Sequence, residues 1–232
     1  MTGFNCRSNQ LELMDQEGIS FEEFHQCLQS LETINVLTLA YRPTLHWVKK
    51  VLNSSSKKTV HILDAGSGGG DMLRRIRKSK HSQNIILTGI DLNPWSKKSA
   101  DLLSHDFPIL YQTGDIFSFE PKGAVDIVMC SLFTHHLNDE QIVHFLRWID
   151  GRAELGWFIN DLHRHPVPYY FIKFVTMLFS RNRLIRHDAP ISVARSFTKA
   201  DWRRLLGKAG IDARAKIQWF FPFRICVLCQ KT

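Results

Sequence analysis

The stretch "HILDAGSGGGDML", residues 61 to 73, runs an apolar segment into a glycine-rich loop with an acid on each side, Asp64 before the glycines and Asp71 after them. Glycines at a helix start let the backbone approach a ligand closely, and the usual ligand there is a phosphate. The charges argue against one. A dinucleotide loop reads G-x-G-x-x-G, and counting from Gly66 and Gly68 the third glycine position is Asp71. A carboxylate in the first helical turn already satisfies the helix dipole and repels a phosphate placed beside it. The Lys-Ser/Thr ending of a P-loop is also absent.

The pattern suits a ligand that needs close backbone contact and carries positive charge. S-adenosyl-L-methionine has that chemistry, with a sulfonium, an α-ammonium and an adenosine but no phosphate. "LDAGSGGGD" resembles the first motif of class I S-adenosylmethionine-dependent methyltransferases, and the later motifs follow in order as "TGIDLN", "GDIFSF" and "VDIVMCSLFTHHLND". The resemblance covers roughly residues 59 to 230. It implies a cofactor site of Asp64, Ala65, Gly66, Ser67, Gly68 and Asp71, with S-adenosyl-L-homocysteine as product. Asp91, followed by Leu92, would accept the ribose hydroxyls. Asp115 would sit near the adenine amino group with Ile116 on its face, and Ser131 and Leu132 would line the methionine end.

Methyl transfer is a displacement at the sulfonium carbon, so the protein mainly holds an acceptor in line and excludes water. A hydroxyl acceptor also profits from a base. Candidates lie where the fourth and fifth strands end, in "THH" (His135, His136) and "NDLHRH" (Asn160 to His165). His163 as base and Arg164 as anchor for an anionic oxygen are the first pair to test. His136 resembles a histidine that small-molecule members carry after the fourth strand. His135 is a further pocket candidate, and "LTLAYRPTLHW" supplies Tyr41 and Arg42 from the N-terminal side. "LTLAYRPTL", "NDLHRH" and "SVARSFT" are similar to bacterial methyltransferases encoded beside polyketide-type synthases, and more distantly to those of ubiquinone and menaquinone biosynthesis. That implies a small, largely apolar acceptor, such as the hydroxyl of a phenolic or polyketide-like metabolite.

The elements that must position these groups follow from periodicity. From residue 59, apolar runs alternate with amphipathic segments, which predicts a Rossmann-like doubly wound sheet of about seven strands. "ARAKIQWFF" and "FRICVLCQK" have no helix between them and predict a C-terminal antiparallel hairpin. Thr198, Asp201 and Gly210 mark the start and stop of the helix before it, and Ser20 with Glu23 forms a capping box for the first helix. Residues 1–56 read as a helical N-terminal extension interrupted near Pro43, and residues 57–232 as the cofactor-binding domain. Within it, 167–190 is an insertion rich in aromatics, Tyr169 and Tyr170 among them. It is too apolar for a free loop, so it either packs on the core or, the favoured reading, forms a lid over an apolar substrate with the N-terminal helices.

Composition fits one globular core. No apolar run is long enough to span a membrane, the N-terminus lacks a signal-peptide layout, and a cytoplasmic location is expected. Five scattered cysteines argue against a disulfide framework, and Cys226 and Cys229, in a strand-like run without a second pair, argue against zinc, so no metal is expected. The formal net charge of +8 raises the alternatives of an RNA or protein methyltransferase, or of a non-catalytic cofactor-binding protein. The basic residues are dispersed and no nucleic-acid-binding module accompanies them, so a small-molecule partner is favoured, with the chain as monomer or homodimer.

Overall fold

The computed structural model describes residues 4–16, 18–79, 83–121 and 123–231. Seven strands form one sheet, β1 (Thr59–Ala65), β2 (Asn84–Asp91), β3 (Leu110–Thr113), β4 (Val125–Ser131), β5 (Ala153–Leu162), β6 (Lys216–Phe220) and β7 (Arg224–Gln230), in the order β3-β2-β1-β4-β5-β7-β6. The first five are parallel, and β7 runs antiparallel between β5 and β6. This is the doubly wound sheet of seven strands with a C-terminal antiparallel hairpin that the sequence predicts. β1 lies centrally and its last four residues are all buried, which is why "ILDA" reads as a continuous apolar run broken only by Asp64.

Helices α1 (Phe21–Leu37), α2 (Arg42–Ser54), α3 (Asp71–Lys78), α4 (Pro94–Leu103), α5 (Asp139–Arg152), α6 (Pro166–Phe179), α7 (Arg183–Arg195) and α8 (Lys199–Ala209) surround the sheet. One core layer joins the sheet to α5 and α8 through Phe145, Leu146, Trp202 and Leu205, and the other joins it to α2 and α3 through Trp47, Val51, Leu73 and Ile76. Both expected capping boxes are present, at Ser20 with Glu23 and Thr198 with Asp201, and Gly210 ends α8 in the left-handed conformation. The expected interruption near Pro43 is present, between α1 and α2. Pro43 itself lies in the first turn of α2, where no N–H is needed, after a turn in which Leu39 has φ of 54°.

A third, smaller cluster packs Cys27 and Ile34 of α1 against Val175 of α6 and Leu184 and Ile185 of α7. The N-terminal helix and the 166–195 segment, far apart in sequence, therefore lie together. Four cysteines are buried and Cys6 is exposed, and none is in a disulfide. Asp126 is a structural acid, as its position before an apolar strand suggests, because it pairs with Lys57 and accepts the His61 N–H at 2.7 Å.

Candidate functional site

Parallel strands deliver their carboxyl ends to one edge of the sheet, so the residues ending β1, β2, β4 and β5 converge. They border a cavity of about 910 Å³. The loop after β1 forms one wall. Gly66 and Gly70 have φ of 68° and 73°, which glycine adopts without penalty, and a Cβ on Gly66 would stand 2.5 Å from the Phe133 ring. Asp91 is oriented by two backbone donors, with the Gly68 N–H reaching Oδ2 at 2.9 Å and the Asn93 N–H reaching Oδ1 at 3.0 Å. Each carboxylate oxygen can accept again, so Asp91 keeps acceptor capacity toward the cavity.

Asp64, Asp71, Asp91 and Asp115 all border this space. Asp64 is the most informative of them. It is 3% exposed and its Oδ1 has no hydrogen-bond partner among the described residues. Burial pushes its pKa well above the carboxylate range, and the nearby charges of Asp71 and Asp91 push the same way. Such an oxygen is costly to bury until a cation or donor reaches it. Arg224 Nη1 and Ser131 Oγ are also buried, unpartnered and on the cavity wall. One cavity thus offers an unpaired acid and an unpaired guanidinium, a match for the ammonium and carboxylate of an amino acid.

Of the residues the motifs single out, Gly66, Ser67, Gly68, Asp71, Leu92, Ile116, Ser131 and Leu132 also line the cavity, while Ala65 is wholly buried at the end of β1. Leu132 has φ of 56°, a strained value for leucine, and its N–H donates to the Asn160 carbonyl at 2.9 Å. Tyr41 lines the cavity as well, and its hydroxyl donates to the Asp71 carboxylate.

The two histidines of "THH" line the cavity in different states. His135 is buried, with Nδ1 on Asp161 Oδ1 at 2.8 Å and Nε2 at 3.5 Å from Glu12. Burial disfavours its charge, but the two carboxylates more than offset this and lift its pKa to about 9. His136 is partly exposed, and its Nδ1 lies 2.9 Å from Asp15 Oδ2. No hydrogen bond engages its Nε2 among the described residues. That is the arrangement of an oriented base.

The structure does not bring His163, Arg164, Arg42, Tyr169 or Tyr170 to the cavity. Arg164 is an internal clamp. It is 3% exposed, donates to the carbonyls of Phe4 and Ser196 at 3.0 and 2.7 Å, and pairs with Asp201 at 2.9 Å. His163 packs beside His165 and bridges to Phe197, and burial lowers its pKa, helped by the charges of His165, Lys199 and Arg164. The pocket's neighbours come instead from remote segments. Glu12 and Asp15 arrive on a short helical turn, Leu13–Asp15, whose Leu13 and Met14 N–H groups donate to Asp188 of α7 at 2.7 and 3.0 Å. "LELMD" carries no local signal for this. Arg224 does carry one, as a lone cation opening an apolar strand.

Glu12, His135 and His136 place potential ligand atoms within 4.8 Å of one another. A metal requires neutral imidazoles. In this structure His135 lies between two carboxylates, Asp161 at 2.8 Å from Nδ1 and Glu12 at 3.5 Å from Nε2, and these lift its pKa to about 9 against the effect of burial.

Residues 62–151 match the protein family described as "Methyltransferase domain". The plantazolicin methyltransferase BpumL, solved with a pentazolic desmethylPZN analog and S-adenosylhomocysteine, superposes at TM-score 0.64 with 15% identity, over 91% of this chain and 98% of that one. Magnesium protoporphyrin IX methyltransferase from Synechocystis PCC 6803, with bound S-adenosylmethionine, gives 0.55 and 12% over 95% and 88%. Human N-acetylserotonin methyltransferase gives 0.59 and 19%, over 91% of this chain but 56% of that one. At these identities the likeness is one of fold. No curated protein matches the chain in sequence.

Proposed function

From the premise that the chain carries a methyltransferase domain of the class I fold, we infer that it moves a methyl group from S-adenosylmethionine to a small, largely apolar hydroxyl compound. The observation that carries this reading is the unpartnered Asp64 Oδ1, buried in a glycine cradle with three further acids at its edge. In this reading Asp64 receives the amino-acid ammonium and Arg224 the carboxylate. Asp91 takes the ribose hydroxyls, and Asp115 with Ile116 takes the adenine. Neighbours of the same fold that bind S-adenosylmethionine or its product support the cofactor assignment.

The base of the reaction is His136 rather than His163. Held by Asp15, its Nε2 takes the acceptor proton, the oxygen's electron pair forms the O–CH3 bond, and the S–CH3 bond breaks with its pair remaining on sulfur. The cavity is also lined by Leu31 of α1, Ile172 of α6 and Ile185 of α7, an apolar surface suited to an aromatic or polyketide-like molecule, while Leu28 lies over the glycine loop. α1 and the 166–195 segment together act as the lid.

Calorimetric titration with S-adenosylmethionine tests the reading, with NADH and ATP as controls that should give no heat. Because Asp64 carries a raised pKa before a cation arrives and a lower one afterwards, cofactor binding should release protons. The enthalpy will then vary with the ionisation enthalpy of the buffer, and affinity will rise with pH up to the raised value. Asp64→Asn with unchanged cofactor affinity would remove Asp64 from its role. Asp91→Ala should weaken the cofactor by about 1.5 to 3 kcal/mol, the worth of a hydrogen bond to a charged acceptor. Asp91→Asn, which keeps an acceptor for Gly68, should lose less.

A further inference from the structure

Helix α6, "PVPYYFIKFVTMLF", is apolar on two sides and packed on only one. Its inner side carries Pro168, Val175 and Thr176, all buried, and gives Ile172 to the cavity roof. On the opposite arc Val167, Tyr170, Phe174 and Leu178 follow helical spacing, flanked by Met177 and Phe179, and all six are more than half exposed. The turn between β6 and β7 continues this face, since Phe171 packs on Phe223 at 5.4 Å and Phe221 beside it is 72% exposed. Contiguous exposed apolar surface of this kind marks a docking site.

The charge on the chain segment that carries the patch has one sign. Between Asp161 and Asp188 the sequence contains no carboxylate, whereas Lys173, Arg181, Arg183 and Arg186 are exposed there. Arg186 is held at the end of the patch, donating to the carbonyls of Ser180 at 2.7 Å and Met177 at 2.9 Å. The acid that reaches this group from a neighbouring element is Glu23 of α1, 3.4 Å from Arg183. Aromatic and aliphatic side chains bordered by cations are the composition of a helix that lies in a lipid interface. At 14 residues α6 is about 21 Å long, and no helix among the described residues is long and apolar enough to cross a membrane.

We propose that α6 and the β6–β7 turn form a docking face for an anionic lipid bilayer, with the aromatics at headgroup depth and the flanking arginines on lipid phosphates. The proposal stands on this surface and does not depend on the methyl-transfer reading. Binding to an interface adds apolar burial to charge attraction, so both parts should be measurable separately.

The experiment is co-sedimentation of the full chain with phosphatidylcholine vesicles, with and without phosphatidylglycerol. The expected result is preferential binding to the anionic vesicles. Raising salt from about 0.1 M to about 1 M, which shortens the Debye length from about 10 to about 3 Å, should weaken that binding. The double substitution Phe174→Ser with Leu178→Ser should weaken it about tenfold or more, because two side chains lose their burial. Lys173→Glu with Arg181→Glu should abolish the preference for phosphatidylglycerol. Both pairs are solvent-exposed, and an unchanged circular dichroism spectrum verifies their fold. Three results would overturn the proposal: no sedimentation of the native chain with either vesicle, undiminished binding by the serine variant, or a native dimer without vesicle binding that the serine variant converts to monomer. The last would assign the face to a second copy of the chain.

Discussion

His136→Ala is expected to lower turnover by about 10² to 10⁴-fold with a phenolic acceptor that the native enzyme methylates, the range for loss of a positioned general base. Affinity for S-adenosylhomocysteine should stay the same, because in the proposed mechanism the imidazole acts on the acceptor proton and not on the cofactor. Two further measurements separate this from a loss of pocket shape. Added imidazole should restore part of the turnover to the alanine variant. Asp15→Asn, which leaves His136 in place but removes the carboxylate 2.9 Å from its Nδ1, should lower turnover less than His136→Ala does and leave cofactor affinity unchanged. A fully active His136→Ala enzyme would leave proximity and orientation as the whole of catalysis.

The second large effect falls on stability. Asp161→Ala should cost about 3 to 5 kcal/mol of folding free energy, since removing one partner of a buried pair strands the other. Asp161 is fully buried. It accepts from the Thr134 hydroxyl at 2.6 Å, the His135 N–H at 3.1 Å, His135 Nδ1 at 2.8 Å and the Leu162 N–H at 2.8 Å. The pH dependence of unfolding in urea reports the same network. His135 is lifted from its ordinary 6.5 to about 9, so its contribution is complete below pH 6.5 and fades as pH rises through about 9. Glu12 is held near 2 against an ordinary 4.5, chiefly by His135 acting against burial, so its contribution is complete above pH 4.5 and fades as pH falls through about 2. The network therefore stabilises most between pH 4.5 and 6.5. The cost of Asp161→Ala should shrink by pH 9, where His135 loses its charge in the native protein as well. A cost that does not vary with pH would mean that packing, not charge, holds this corner together.

That the glycine loop and its acids border the cavity was legible because it is local. A strand, a glycine turn and a helix start are consecutive in the chain, and the sign of Asp64 and Asp71 is visible without any tertiary contact. Asp91 was legible because a parallel sheet returns each strand to the same edge, which fixes where its carboxyl-terminal acid must lie. The other end was legible only in part: His135, His136 and Tyr41 line the cavity as expected, but the second histidine cluster does not. "NDLHRH" looked like an active-site cluster, yet Asp161 and Arg164 are internal clamps and His163 lies off the cavity. Cavity-lining residues without a local signal, Glu12 and Asp15, come from more than a hundred positions earlier.

Sequence alone determined the sheet, the order of its elements and the charge of the cradle, because these depend on periodicity and on side chains next to one another in the chain. Tertiary structure decided which histidine meets the cavity, which is bound between acids, and which face of α6 stays bare. Each of these depends on the side chain standing opposite, and a folded chain draws that partner from any distance along itself.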